Sequence, residues 1–327
     1  MSLRMDESYR KEIEILRILS EHKEPMGSTL LQRELARRGF LLGERTVRYH
    51  LQLLEERGLL KSVKRDGRVI TERGLEELSR SLAYEKVGFV VTRHLSLAYR
   101  VGYDLENRKG NVVANVSITD EPYLDDALEI VRQLKKAKVL PAPYLKVLRG
   151  DYGDIHVPEG KVAIFTVCNL TIDGVLMHAG IPLILKYGGL VQFVKYKPVR
   201  FVELISHEGT TIPPLEVFVY RRLTSVTRFL ETGSGMIPAN LREVPAEARG
   251  EVEEILNRLK ADGWGGIVAF GKPNESVLGV PVAMDRCGIS MAGGLIPLAA
   301  LAELNIPVET FAPHCLMPIE DMERIED

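Results

Sequence analysis

The sequence predicts an N-terminal α/β winged helix-turn-helix followed by an α/β regulatory domain built from two similar lobes. Three observations carry this reading. Two short amphipathic helices are punctuated by glycines between Ser28 and Gly58, a basic hairpin follows them, and beyond residue 83 strand-like and helix-like stretches alternate and repeat. A chain of 327 residues fits two or three domains. We expect a winged-helix DNA-binding domain over residues 1–82 and an effector-binding and dimerisation domain over 83–327, with lobes at about 84–203 and 204–327.

The first short helix is expected to start at a capping box, Thr29 to Gln32, and to stop at Gly39. The second lies between Gly43 and Gly58, where glycine suits the left-handed end of a helix. Within it Val47, Leu51 and Leu54 recur with helical spacing and face the core. Arg45, Arg48, Tyr49 and Gln52 share the opposite face, where guanidinium and amide groups suit the base edges of a DNA major groove. Leu59–Val63 and Arg68–Thr71 then read as strands joined through Asp66-Gly67, a strong hairpin turn. Lys64, Arg65 and Arg68 crowd the tip of this wing, within reach of phosphates. Arg33 to Arg68 holds ten basic and five acidic side chains, an excess that favours binding with counterion release. Double-stranded DNA is the expected partner.

Charge elsewhere is uneven. Residues 204–327 carry ten basic and eighteen acidic groups, so that part is expected to sit away from a phosphate backbone. No run of 18 or more apolar residues occurs, and the first 25 residues are charged throughout, which excludes a membrane span and a secretory leader from the reading. Three cysteines with no CxxC pair point to a reducing compartment, and the expected location is the cytoplasm.

Beyond residue 83 the runs VGFVVT, NVVANVSI, KVAIFTVC, LVQFVKY and LEVFVYRRL read as strands, and DDALEIVRQLKKA and GEVEEILNRLKAD as amphipathic helices. These stretches repeat. GNVVANV from Gly110 parallels GMIPANL from Gly235, and Glu129, Ile130, Leu134 and Lys135 match Glu254, Ile255, Leu259 and Lys260 at the same offset of 125. CNLTIDGVL from Cys168 parallels CGISMAGGL from Cys287 at an offset of 119, and TRHLSL from Thr92 parallels YRRLTS from Tyr220. Two packed lobes offer a small-molecule site between them. The repeated cysteine segments read as strand ends turning into helix N-termini, which attract anions. Cys168, Thr171, Gly174, Ser290, Gly293 and Gly294 are therefore candidate effector contacts, and Arg93, Arg221 and Arg222 candidate carboxylate partners.

The order of these parts resembles a known family. A winged helix with RTVRYHLQLLEERGL and ITERGLEEL precedes GFVVTRHLSLAYRV and the segment VCNLTIDGVLMHAGIP, and over residues 10–327 the chain resembles the NrpR nitrogen regulatory repressors of archaea. The resemblance implies a homodimeric repressor of nitrogen-assimilation genes, bound to a palindromic operator and released by 2-oxoglutarate, with no resident cofactor. Some members carry two regulatory domains after the winged helix, whereas this chain has room for one.

Two other readings compete. A metal- or thiol-sensing winged-helix regulator would use Cys168, Cys287, His314 and Cys315. An enzyme would draw on those residues with His94, His178 and His207, yet no HExxH, GxSxG or GKS/T motif is present. The chain is expected to be a regulator, without catalytic residues or a bound metal.

Overall fold

The computed structural model describes residues 2–22, 24–63, 66–81, 88–153 and 155–326, and the chain divides into two compact units, residues 1–86 and 87–327. Lys64 and Arg65, expected at the wing tip, lie outside the described residues, as does the side chain of His314.

The first unit contains α1 (Ser2–Glu21), α2 (Ser28–Arg37), α3 (Glu44–Glu56), the antiparallel pair β1 (Leu60–Val63) and β2 (Gly67–Ile70), and α4 (Glu72–Arg80). Leu31 and Leu35 of α2 and Val47, Leu51 and Leu54 of α3 are fully buried against Ile15, Leu16 and Leu19 of α1. This is the three-helix core of a winged helix, closed by the hairpin. Gly58 takes the left-handed conformation after α3, and the Thr71 hydroxyl accepts a bond from the Gly74 amide to cap α4.

One local expectation fails. The Thr29–Gln32 capping box does not form, because α2 begins at Ser28 after an N-cap at Gly27. A backbone bridge between Met26 and Arg68 fixes the chain entry there. Thr29 is left inside the first turn, where its hydroxyl donates to Glu44, while Gln32 donates its amide to the Leu42 carbonyl.

The second unit begins with α5 (Phe89–Tyr99) and continues through β3 (Asn111–Asp120), α6 (Leu124–Lys136), β4 (Tyr144–Leu148), β5 (Lys161–Val167), α7 (Leu170–His178) and β6 (Ile184–Val194). The hairpin strand β7 (Lys197–Ser206) and helices α8 (Pro214–Tyr220) and α9 (Val226–Thr232) come next. The same sequence of elements then recurs as β8 (Gly235–Pro245), α10 (Arg249–Ala261), β9 (Ile267–Phe270), β10 (Arg286–Ala292), α11 (Ile296–Glu303) and β11 (Val308–Pro318), with β12 (Glu323–Arg324) at the end. Each half is a βαββαβ repeat, the split βαβ arrangement.

The two repeats do not form side-by-side lobes. The strand orders are β11-β3-β5-β4-β12 and β7-β6-β8-β10-β9, both antiparallel. The last strand of each repeat therefore pairs with the first strand of the other: β6 with β8, and β11 with β3. The lobes expected at 84–203 and 204–327 are interlaced, and neither sheet is complete without a strand from the other repeat. Their first strands, β3 and β8, are central in the two sheets and buried along most of their length, β3 as a largely apolar run and β8 with Asn240, Arg242 and Glu243 among its buried residues.

The offset of 125 relates α6 to α10, α7 to α11 and β5 to β10, where Lys161–Val167 maps onto Arg286–Ala292. It shortens by two or three residues at β4 and β9, where Leu145 pairs with Thr166 but Ile267 with Met291. This corrects the other two alignments. Cys168 follows β5 and falls opposite Gly293, whereas Cys287 is the second residue of β10, at the strand's start and not at the end that leads into a helix. Likewise α5 maps onto α8, which places Arg93 opposite Phe218 and leaves it unrelated to Arg221 or Arg222.

The runs VGFVVT and LEVFVYRRL, read as strands, belong to α5 and α8. Their β-branched content follows from burial, because Val90, Leu97 and Ala98 of α5 and Leu215, Phe218 and Val219 of α8 are all buried. Tertiary packing overrides propensity in both.

Candidate functional site

In the first unit, α3 presents Arg45, Arg48, Tyr49 and Gln52 to solvent on one face, with Tyr49 58 % exposed. The face is partly self-occupied. Arg48 donates to Glu44 at 2.6 Å and to the Ser28 hydroxyl at 3.3 Å, and Gln52 donates to Glu56 at 3.0 Å. The bond from Arg48 holds the Glu44 carboxyl below the usual carboxylate range. Among the described residues Arg45 has no ion-pair partner. Arg68 is not a free cation at the wing tip: its Nε lies 2.9 Å from Glu55 on α3, so it ties the hairpin to that helix.

In the second unit a small, partly open cavity of about 40 Å3 lies where the exchanged strands bring the two repeats together. Asn115 of β3 and Asn240 of β8 line it from equivalent positions of the repeat, and so do Leu170 and Leu295. The residues entering α7 (Cys168, Asn169) and α11 (Gly294, Leu295) reach the same space, so two helix N-termini converge there. The positive ends of helices favour an anion. His94 of α5, His207 after β7, and Arg242 of β8 complete the polar lining.

Arg242 dominates this site. Its side chain is 1 % exposed, and its Nε is ion-paired with the Asp173 carboxylate on α7, itself wholly buried. Nη2 donates to Asn169 Oδ1 at 3.2 Å, and Nη1 has no hydrogen-bond partner. Asn169 in turn donates to the Ala292 carbonyl at 2.8 Å, and Asn115 donates to the Gly294 carbonyl at 3.2 Å while its Oδ1 has no partner. A buried guanidinium with spare donors beside amides and two helix N-termini is chemistry suited to a carboxylate. Burial pushes His94 down to about 3 and His207 down to about 4, with Arg242 adding to both effects, so both imidazoles are neutral near pH 7. Burial also raises the thiols of Cys168 and Cys315 to about 11. Neither is a thiolate at neutral pH, which gives a thiol-sensing reading no support. Among the described residues no group of three or more His, Cys, Asp or Glu side chains could hold a metal.

Of the effector candidates named from sequence, Cys168 and Gly294 line the cavity. The others are elsewhere. The Thr171 hydroxyl accepts a bond from the Val113 amide, and Gly174 lets α7 approach α5, since a Cβ there would meet the Ala98 carbonyl at 2.5 Å. Gly293 makes a similar allowance for Leu215, and Ser290 is buried within β10. Arg93 donates to the Pro313 carbonyl, while Arg221 and Arg222 are exposed beyond α8. The missed residues are Arg242, Asn115, Asn240 and Asn169, while His94 and His207, named from sequence for the enzyme reading alone, also line the cavity. A signal for two of them was present: Asn115 matches Asn240 in the 125-residue repeat.

A winged-helix unit followed by an α/β unit with a polar-lined cavity is the architecture of a transcriptional regulator. Residues 87–324 match the model of the NrpR regulatory domains NRD1 and 2, and residues 13–78 match that of the ribonuclease R winged-helix domain. The chain is 36 % identical over 316 residues to the global nitrogen regulator NrpRI of Methanosarcina mazei, covering 97 % of this chain and 98 % of the relative. It is also 36 % identical to the global nitrogen regulator NrpR of Methanocaldococcus jannaschii, covering 97 % of this chain but 55 % of that protein. The chain thus spans nearly all of the first relative and about half of the second. A crystal structure of a nitrogen repressor-like protein from Methanococcus jannaschii matches with a TM-score of 0.61 at 30 % identity, covering 72 % of this chain and 97 % of that one. The chain belongs to the NrpR family. The relatives are named as regulators, not as enzymes, and no described helix is long and apolar enough to cross a membrane.

Proposed function

We propose that this chain is a sequence-specific, DNA-binding repressor of nitrogen-assimilation genes that acts in the cytoplasm and is released from its operator by 2-oxoglutarate. Two chains pair, and each winged helix reads one half of a palindromic operator. Arg45, Arg48, Tyr49 and Gln52 read bases, and Lys64, Arg65 and Arg68 meet phosphates. The effector sits in the cavity of the second unit, against Arg242, Asn115, Asn240, Asn169, His207, Cys168 and Gly294.

The observation that carries this reading is Arg242, a fully buried guanidinium whose Nη1 has no partner and which lines a cavity built by both repeats. Leaving such a group unsatisfied is costly unless a ligand completes it. A 2-oxo dicarboxylate offers the complementary oxygens. The nitrogen-regulator names of the relatives supply the biological direction.

Calorimetric titration of the purified protein with 2-oxoglutarate, with glutarate as control, tests the reading. Saturable binding that needs the 2-oxo group supports it, and an absence of heat at millimolar ligand from protein that still binds DNA refutes it.

A further inference from the structure

Resting on the reading of the cavity as an effector site, we propose that binding of a dicarboxylate there takes up a proton onto the imidazole of His207, so that ligand affinity increases as pH falls.

His207 is held rigidly. Its backbone amide donates to the Lys186 carbonyl at 2.9 Å, its side chain is buried, and its ring meets that of His94 edge-on with centroids 6.0 Å apart. Its Nε2 lies 3.3 Å from Asn240 Oδ1, an oxygen that can only accept, so Nε2 carries the hydrogen of the neutral ring. Nδ1 is then a bare lone pair, and it has no partner in the structure. A carboxylate cannot share a contact with that lone pair. Protonating Nδ1 converts the repulsion into a charge-assisted hydrogen bond while keeping the bond to Asn240.

The charges around the pair require the same step. From β8 the imidazoles face Arg242, which Asp173 of α7 already offsets. On α5, Arg93 acts on His94 alone, and it sits beside Glu216 of α8. The segment entering α7 adds the neutral Cys168 thiol, and β3, β6, β11 and the start of α11 contribute Asn115, Leu185, Pro313 and Leu295, none of them charged. The empty cavity is therefore near electrical balance, and desolvation keeps both histidines neutral. A ligand carboxylate adds a negative charge to this space, and a nearby imidazole is the group that most readily answers it. The two rings are close enough that a second proton would be repelled by the first.

Calorimetry of the full chain with 2-oxoglutarate, in PIPES and in imidazole buffer at pH 6.5 and pH 8, reads the proton directly. Both ligand carboxyls are ionised above about pH 6, so a proton taken up belongs to the protein. We expect the heat at pH 6.5 to differ between buffers by an amount approaching one proton per ligand. The Kd should weaken towards pH 8, by at most about tenfold per pH unit. His207→Gln should abolish the buffer dependence while binding persists at reduced affinity, and His94→Gln should preserve it. Saturable binding with buffer-independent heat and a pH-independent Kd overturns the inference and leaves the effector site standing. Absence of saturable binding in every buffer overturns both.

Discussion

Arg242 of β8 and Asp173 of α7 form an ion pair with both side chains out of water, and the pair ties the second sheet to a helix of the first repeat. Burial alone pushes the Asp173 carboxyl up, and Arg242 opposes that rise. Removing one partner of such a pair costs about 3–5 kcal/mol, whereas replacing both with apolar groups is often neutral. Arg242→Met should therefore lower the Tm markedly, and the double variant Arg242→Met, Asp173→Leu should restore most of it. The single variant also acquires a pH dependence. Its Asp173 carboxyl is raised further above the unfolded value, so stability is fully present below the unfolded pKa and lost as pH rises through the folded one. Thermal denaturation at pH 5 and pH 8 should show the larger deficit at pH 8.

The two buried imidazoles predict the opposite limb in the ligand-free protein. With His94 held at about 3 and His207 at about 4, the stability that they contribute is present above the unfolded value near 6.5 and is lost as pH falls through the folded values. Denaturant midpoints should fall between about pH 6.5 and pH 4. Replacing His94 with Leu should flatten that decline, and an unchanged slope would show that these rings are not the source.

Gly174 separates packing from binding. A Cβ on it would lie 2.5 Å from the Ala98 carbonyl and 2.5 Å from the Val101 side chain, so Gly174→Ala must push α7 off α5. The expected cost is about 1–3 kcal/mol. The affinity for 2-oxoglutarate, measured on the folded fraction, should be close to that of the unaltered protein. Gly294→Ala should do the reverse, since its Cβ would meet the Asn115 amide at 2.3 Å on the cavity wall and displace it.

On the DNA side, Arg48→Ala should weaken operator binding by about 1–3 kcal/mol and leave effector affinity intact. Arg68→Ala should act differently from a simple loss of a phosphate contact. It also breaks the tie to Glu55, so hairpin order and affinity should fall together. Hydrogen exchange at the amides of β1 and β2 would register the first effect and filter binding the second.

Much of the first unit was legible because its information is local. Val47, Leu51 and Leu54 announce a helix face by spacing alone, and Gly58 announces its end. The second unit was legible in its repeat, through Asn115/Asn240 and Leu134/Leu259, but not in its pairing. Nothing local to β6 or β11 states that each strand pairs with the other repeat, and that exchange is what creates the cavity. The cysteine segments, whose match at 119 is coincidental, point to other effector contacts than Arg242, which in sequence is one cation among several in an acidic half. Its burial follows only from Asp173, distant in sequence and adjacent in space.

The central claim is that an anion held by Arg242 loosens the grip on DNA. Fluorescence anisotropy of the full chain on labelled promoter DNA of a nitrogen-assimilation gene, titrated with 2-oxoglutarate, tests it most directly. The account predicts that ligand releases DNA from the unaltered protein, whereas the Arg242→Met, Asp173→Leu protein binds the same DNA and does not respond. Ligand-driven release that persists unchanged in that double variant would contradict it.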